Sequence, residues 1–272
     1  MHYYRALTIA GSDSCGGAGI QADIKTLSAL GVYAASAVTA VTVQNTRGVT
    51  AVEALRPEIV SGQIVAVMDD IRPQAVKIGM VNDCATIRAI ASALGRYDTP
   101  LLVVDPVMVS TSGSRLMQED ALEVFCETLL PRATLLTPNI PEAEILSGTA
   151  IRTVSDMDAA ARLIARRGCR NLLVKGGHLE GAEKTDRLYA GGCLTAEYKA
   201  PDVATRNTHG TGCTLSSAIT AFLARGLSLP EAVGRAKSYL HQALEAGKDV
   251  CIGEGYGPVN HFFNPQPLTI IP

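Results

Sequence analysis

The chain has 272 residues, 47% of them hydrophobic and 18% charged, with a formal net charge of -2. That length suits one large α/β domain spanning 1–272, and the near-neutral charge offers no footprint for nucleic acid or an acidic membrane surface. Trp is absent and aromatics make up 4%, so base-stacking platforms are not expected.

Met1-His2-Tyr3-Tyr4-Arg5 leads straight into a short apolar strand, with no signal-peptide pattern. No apolar run approaches the roughly 20 residues of a spanning helix. Seven cysteines, at 15, 84, 126, 169, 193, 213 and 251, are odd in number and form no C-x-x-C pair. They read as reduced thiols of a cytoplasmic protein.

In chain order, short apolar runs alternate with amphipathic ones. Strands are predicted at Ala6 to Ala10, Ala35 to Val43, Ala75 to Ile78, Leu101 to Val104, Leu135 to Thr137 and Leu172 to Val174. Several are continuous apolar runs, as in a parallel sheet covered on both faces. Ile20, Ile24, Leu27 and Leu30 recur at helical spacing until Gly31 stops them. Ile59, Ile64, Val67, Met68 and Ile71 form a second such face, with Pro57 near its start. Further helices are predicted over Ala85 to Leu94, Glu119 to Leu129, Glu142 to Ser147, Asp156 to Arg167, Gly212 to Arg225 and Pro230 to Ala246. Thr185 to Ala190 and Leu194 to Lys199 flank Gly191-Gly192 and read as an edge hairpin.

This alternation predicts a doubly wound α/β fold, whose ligands bind outside the carboxyl ends of the strands. The polar residues obey that rule. Predicted strands end in Gly11-Ser12-Asp13, Gln44-Asn45, Gly79, Asp105, Asn139 and Lys175-Gly176-Gly177. All of these groups are expected to converge on one edge of the sheet.

Asn207-Thr208-His209-Gly210-Thr211-Gly212-Cys213-Thr214 opens a strongly helical run. A helix start exposes unpaired N–H groups, and glycines let an anion approach them, so Gly210, Thr211 and Gly212 suit a phosphate. Cys213 sits in the first turn, where a thiol pKa can be lowered. Asn139 and Glu142, three apart at a strand-to-helix turn, offer hard oxygens for Mg²⁺; the same pair can instead form a capping box. Asp105 can orient a cationic side chain or a metal-bound water. Lys175 can neutralise phosphate charge. Gln44 carries a donor and an acceptor able to pair two atoms along a ligand's polar edge. Met80 and Val107 can clamp a flat ring or simply belong to the core. Gly16-Gly17-Ala18-Gly19 lacks dinucleotide spacing, which disfavours an oxidoreductase, and no P-loop is present.

The segment from Ala10 to Thr26 joins His209 to Thr214, Val43-Gln44-Asn45-Thr46, Val104-Asp105-Pro106-Val107-Met108 and Thr137-Pro138-Asn139-Ile140-Pro141-Glu142. Together these blocks resemble the hydroxymethylpyrimidine and hydroxymethylpyrimidine-phosphate kinases of thiamine biosynthesis, within the ribokinase-like superfamily. The resemblance covers nearly the whole chain. Its departure is Ser14-Cys15, where that family usually carries Pro-Ser. It implies a mostly parallel ribokinase-like sheet and ATP-dependent phosphorylation of 4-amino-5-hydroxymethyl-2-methylpyrimidine and then its monophosphate. It further implies Cys213 and the 210–212 backbone as catalytic groups. Gln44, Gly11, Ala18, Asp23, Met80 and Val107 would contact the pyrimidine. Lys175, Asp105 and Thr211 would act on ATP, and Asn139 and Glu142 on Mg²⁺ through water. The resemblance implies a homodimer too, with the hairpin near Gly191 as the expected contact. Pyridoxal kinase of the same superfamily is the alternative; a non-catalytic nucleotide-binding regulator is disfavoured by the joint presence of Asn139, Glu142, Lys175 and Cys213.

Overall fold

The structure, a computed structural model, describes residues 1–98, 101–108, 116–178 and 183–272. Its strands are β1 (His2–Tyr3), β2 (Arg5–Asp13), β3 (Tyr33–Asn45), β4 (Gly48–Ala54), β5 (Ala75–Ile78), β6 (Leu101–Val104), β7 (Leu135–Leu136), β8 (Asn171–Val174), β9 (Glu183–Ala190), β10 (Cys193–Pro201) and β11 (Ile270–Ile271). Its helices are α1 (Gly19–Ala29), α2 (Pro57–Asp70), α3 (Cys84–Leu94), α4 (Ala121–Thr128), α5 (Ile140–Ser147), α6 (Val154–Arg166), α7 (Thr211–Ala224) and α8 (Leu229–Gly247).

Among the described residues, nine strands form one sheet in the order β10-β9-β8-β7-β6-β5-β2-β3-β4. The run from β8 to β3 is parallel throughout. Antiparallel pairings add β4 at one edge and the β9–β10 hairpin at the other.

Strand alternation sends each second side chain to one face. Leu7, Ile9, Val76, Ile78, Leu102, Val104, Leu136, Leu172 and Val174 pack in one core with residues of α2 to α6, including Ile64, Ile90, Phe125 and Ile164. Ala6, Ala75, Val103, Leu135 and Leu173 point the other way, onto Leu27 of α1, Ile219 and Phe222 of α7, and Val233 and Tyr239 of α8. The central strands are therefore buried on both faces, as their unbroken apolar runs require. Among the described residues, no helix is long and apolar enough to cross a membrane.

The helix ends follow local chemistry. Pro57 starts α2, the Asp83 side chain accepts from the Thr86 N–H at the start of α3, and Thr153–Asp156 forms a capping box for α6. Gly31, at φ 74°, ends the turn after α1.

The structure departs from the sequence reading at the sheet's edges. β2 runs on to Asp13 and β3 to Asn45, with β3 taking an extra residue where Ala10 pairs with Val38 but Ser12 with Val41. Gly11, Ser12 and Asp13 thus belong to the strand and do not follow it. β4 was not expected, because an exposed edge strand has no buried face to impose alternation. β1 and β11 pair the two chain ends through His2–Ile271 and Tyr3–Ile270, a contact no local pattern encodes.

One charged pair lies at the centre of the molecule. Lys77 of β5 and Asp23 of α1 are both fully buried. The Lys77 ammonium donates to Asp23 Oδ1 and Oδ2, each at 2.7 Å. Thr8 Oγ1 donates to Oδ2 at 2.6 Å and Ser217 Oγ to Oδ1 at 2.7 Å. Two strands and two helices are thereby fastened at one carboxylate. Removing one partner of such a pair leaves a buried uncompensated charge, worth about 3–5 kcal/mol. We therefore expect Lys77→Met to lose about that much in urea unfolding, and Asp23→Asn/Lys77→Met to recover a large share of it. Equal losses in the single and double variants would refute the pairing argument.

Candidate active site

The carboxyl ends of the parallel strands meet the first turn of α7. That helix is buried along nearly its whole length, from Thr214 to Ala224. Its hydroxyl residues turn their side chains back onto it: Thr214 Oγ1 donates to Gly210 O, Ser216 Oγ to Gly212 O and Thr220 Oγ1 to Ser216 O. No side chain caps its N-terminus; the Thr211 N–H donates to Thr208 O at 3.3 Å, and the N–H groups that follow it are those a helix start offers to an anion.

Gly210 precedes α7 at φ 79°, and a Cβ there would lie 1.8 Å from Gly17 O. Only glycine permits both the left-handed backbone and this close approach. It brings the 14–18 loop directly against the helix start. Asp13 holds that loop in shape. Its Oδ1 accepts the Cys15 N–H at 2.8 Å, and its Oδ2 accepts the N–H of Gly17 at 3.0 Å and of Ala18 at 2.8 Å. His209 Nε2 lies 2.8 Å from Oδ2. Burial works against the Asp13 charge, but His209 and the loop N–H groups outweigh it and hold the carboxyl below its ordinary range.

The helix start divides the site into two sides. On the first, Met80 packs with Ala40, Leu116, Val52 and Val107 as an apolar wall. A Cβ on Gly11 would lie 3.0 Å from the Met80 sulfur, so a side chain there would push the Met80 end aside by a few tenths of an ångström. Gln44 is partly buried; its Oε1 accepts from Thr42 Oγ1 at 3.1 Å, and its Nε2 lies 3.3 Å from His209 Nε2. Ala18 precedes α1 and lies against Gly210. Met80, Val107 and Gly11 lie together, and Gln44 reaches the His209 side of the loop.

Asp23 is different. Its carboxylate is fully buried and taken up by Lys77, Thr8 and Ser217. The pyrimidine contact expected of Asp23 would have to share a carboxylate whose two oxygens these groups already occupy.

On the second side, Asp105 is buried. Its Oδ1 accepts from Lys175 Nζ at 2.8 Å and Thr137 Oγ1 at 3.2 Å, and its Oδ2 from Ser216 Oγ at 3.3 Å. A Cβ on Gly212 would lie 3.3 Å from Lys175 Nζ, so the ammonium sits at the α7 start. Burial opposes its charge, yet Asp105 and Glu142 outweigh that and hold its pKa up. A cleft of ≈ 240 Å³ opens beside it, lined by Thr211, Gly212, Asn139, Lys184, Lys237 and His241 among others. Lys237 pairs with Asp186 at 2.7 Å, and Asp186 also accepts the Gly176 N–H at 3.0 Å. Other hollows, such as one bordered by Arg132, Thr134 and Asn171, lie at the amino ends of the strands and hold none of these groups.

Asn139 and Glu142 form the reciprocal capping box of α5. Asn139 Oδ1 accepts the Glu142 N–H at 2.9 Å, and Glu142 Oε2 accepts the Asn139 N–H at 2.8 Å. The pair therefore satisfies its structural reading in full. Burial pushes the Glu142 carboxyl up to about 7, with Lys175 opposing and the Asp105 charge adding to the rise.

Cys213 corrects an expectation. The helix start does not lower its pKa. Burial raises the thiol to about 11, against the nearby Lys77 ammonium and an N–H from Gly19, while Asp23 and Asp105 add to the rise. Desolvation outweighs the dipole at this depth.

Sequence reasoning missed Lys77, Ser216, Ser217, Asp186 and Lys237. A signal existed for Lys77 alone: a charge inside the otherwise apolar run Ala75 to Ile78 has to find a buried partner. The distant partners of the others are 10 to 194 positions away, beyond any local pattern.

A model of the phosphomethylpyrimidine kinase family matches residues 13–260. The hydroxymethylpyrimidine/phosphomethylpyrimidine kinase of Rhizobium meliloti is 55% identical over 258 residues, covering 94% of this chain and 96% of its own. That of Bacillus subtilis is 43% identical over 263 residues, covering 96% of each. The crystal structure of phosphomethylpyrimidine kinase from Clostridium difficile 630 matches at a TM-score of 0.78 and 48% identity, covering 88% of this chain and 99% of its own. The Staphylococcus aureus pyridoxal kinase in complex with AMP-PCP and pyridoxal matches at a TM-score of 0.85 and 33% identity, covering 96% and 94%. With its glycine loop, apolar wall and buried helix start occupying the segments these matches span, the chain belongs to the phosphomethylpyrimidine kinase family.

Proposed function

We propose that this protein transfers the γ-phosphate of ATP to 4-amino-5-hydroxymethyl-2-methylpyrimidine and then to its monophosphate, as a step of thiamine biosynthesis. The observation that carries the proposal is the uncapped α7 start between an apolar wall and a lysine-lined cleft. A flat heteroaromatic ring fits the wall formed by Met80 and Val107, with Gln44 at its edge. The nucleotide fits the cleft, with its phosphates at Lys175 and Thr211. The N–H groups from Gly210 to Cys213 then receive the charge of the transferring group, which is where phosphoryl transfer gains most.

The donors near Glu142 suit Mg²⁺ through water. Asn139 Oδ1 and Glu142 Oε2 are already engaged in the cap, so direct ligation would break it. The buried Asp105 carboxylate raises the affinity of Glu142 for a cation or a proton. Bound there with the phosphates, Mg²⁺ would neutralise charge on them. Cys213 stands against the acceptor oxygen, and Lys77 beneath it favours negative charge.

A second reading is pyridoxal phosphorylation, favoured by the match of pyridoxal kinases over nearly the whole chain. ADP release measured with the pyrimidine alcohol, its monophosphate and pyridoxal side by side tests both. Turnover of pyridoxal alone would overturn the proposal.

Gln44→Ala is expected to weaken pyrimidine binding by about 1–3 kcal/mol, the loss for a buried paired amide, and to leave ATP binding nearly unchanged. Calorimetry showing equal losses for both ligands would rule out ring reading by Gln44.

Glu142→Gln is expected to raise the Mg²⁺ concentration for half-maximal rate. It should also change the pH dependence of stability. With its folded pKa raised to about 7, Glu142 keeps a proton that the unfolded chain has lost. The parent therefore loses stability as pH rises from its ordinary range toward neutrality. Urea midpoints between about pH 5 and about pH 8 should fall less in the Gln variant. Identical slopes and an unchanged Mg²⁺ titration would leave Glu142 as a cap only.

Cys213→Ala should slow the alcohol step more than the monophosphate step. The alcohol must lose a proton, whereas a phosphate monoester already carries a charge of about −1.5 to −2. Because the thiol pKa lies near 11, thiolate in the parent grows about tenfold per pH unit below that value. The gap between parent and variant should therefore widen from about pH 6 to about pH 9. Parallel losses in both steps at every pH would mean the thiol only shapes the loop.

A further inference from the structure

We infer that Asp13, Cys15 and His209 form a binding site for one thiophilic divalent cation of the Zn²⁺ type, and that its occupation closes the pyrimidine side of the pocket. One ligand atom from each of the three residues lies within 4.8 Å of the other two. Asp13 and His209 are buried, whereas Cys15 keeps partial exposure and supplies an entry path. The site lies in the one loop segment where the sequence departs from the pattern it resembles, Ser14-Cys15.

The donor set selects the metal. A carboxylate oxygen, an imidazole nitrogen and a thiolate together suit Zn²⁺ and its surrogates Co²⁺ and Cd²⁺, and not Mg²⁺ or Ca²⁺, which take oxygen ligands. Three protein ligands leave a fourth position for water. The carboxylate is already oriented by the N–H groups of Cys15, Gly17 and Ala18; such outer partners fix a ligand's direction.

Between the imidazole and the carboxylate the rearrangement is small, and the Cys15 side chain, within 4.8 Å of both, turns in to complete the site. His209 Nε2 and Asp13 Oδ2 stand 2.8 Å apart. Tetrahedral ligands at about 2.0–2.2 Å from Zn²⁺ stand about 3.3 Å from each other, so the imidazole withdraws by about 0.5 Å. The metal replaces the proton between the two atoms. That proton moves to Nδ1, Nε2 gives its lone pair to the cation, and the Cys15 thiol releases one proton to solvent as its sulfur binds. No oxidation or reduction occurs.

Gln44 Nε2 lies 3.3 Å from the same imidazole nitrogen. A cation at Nε2 repels that N–H₂ group and displaces the amide. Inhibition of pyrimidine binding rests on the proposed role of Gln44; the metal site itself does not.

The test uses the full chain and Co²⁺ as probe. Titration should give a near-ultraviolet thiolate-to-Co²⁺ absorption band that saturates at about one equivalent per chain. Cys15→Ser, and as a second variant Cys15→Ala, should lose the band and weaken Zn²⁺ binding in calorimetry by more than the about 10–100-fold that losing an outer partner of a ligand costs. Urea unfolding should show both variants folded. Zn²⁺ should raise the KM for the pyrimidine in the parent and not in Cys15→Ser, with the KM for ATP unmoved in both. No thiolate band, or a band that persists in both variants, would overturn the site. A band lost on substitution with no effect of Zn²⁺ on the pyrimidine KM would overturn the inhibition and, separately, the role given to Gln44.

Discussion

The start of α7 has to be buried and left open at once. The helix runs through the interior against β2, β5 and β6, so its polar groups need partners. Its hydroxyl side chains satisfy the backbone behind the first turn. No side chain caps its leading N–H groups; the Thr211 N–H donates to Thr208 O, and an anion suits those that follow. Every other feature of the site serves this arrangement. Gly210 and Gly17 bring the glycine loop against the opening, Lys175 stands beside it, and the Asp23–Lys77 pair underlies it.

Charge is distributed so that the site stays organised without ligand. Lys175 is held by Asp105, Lys237 by Asp186, and Asp13 by His209. These residues come from different strands, loops and helices, so the contacts also fasten the walls of the pocket together. The cost of burying them is offset only because additional hydrogen bonds complete each carboxylate. Asp13 shows this most fully, with three backbone N–H groups and an imidazole around two oxygens.

The same depth explains the behaviour of Cys213 and Glu142. Both are neutral-favouring positions in the free protein, since burial disfavours their charged forms. A helix dipole acts over a turn and is worth about 0.3–1 kcal/mol at exposed sites. Desolvation of a buried ion is several times larger. The position of a cysteine in the first turn of a helix is therefore not enough to make it a thiolate.

The sequence by itself determined the order of elements and the edge of the sheet on which the chemistry collects. β5 and β6 fall where their apolar runs fall, and the hairpin around Gly191-Gly192 lies where its turn signal puts it. Local propensity and periodicity encode such elements, and parallel strands deliver their ends to one side. Gln44, Met80, Val107, Asp105, Lys175 and the 210–213 turn were all legible for that reason. The tertiary structure alone decided what these groups touch. It buried Asp23 against Lys77, 54 positions away, and set His209 on Asp13, 196 positions away. It also added β4 and the β1–β11 pair at edges that no hydrophobic pattern marks. Contacts of that sequence separation depend on how layers pack, and burial then sets the protonation that residue type and local position leave open.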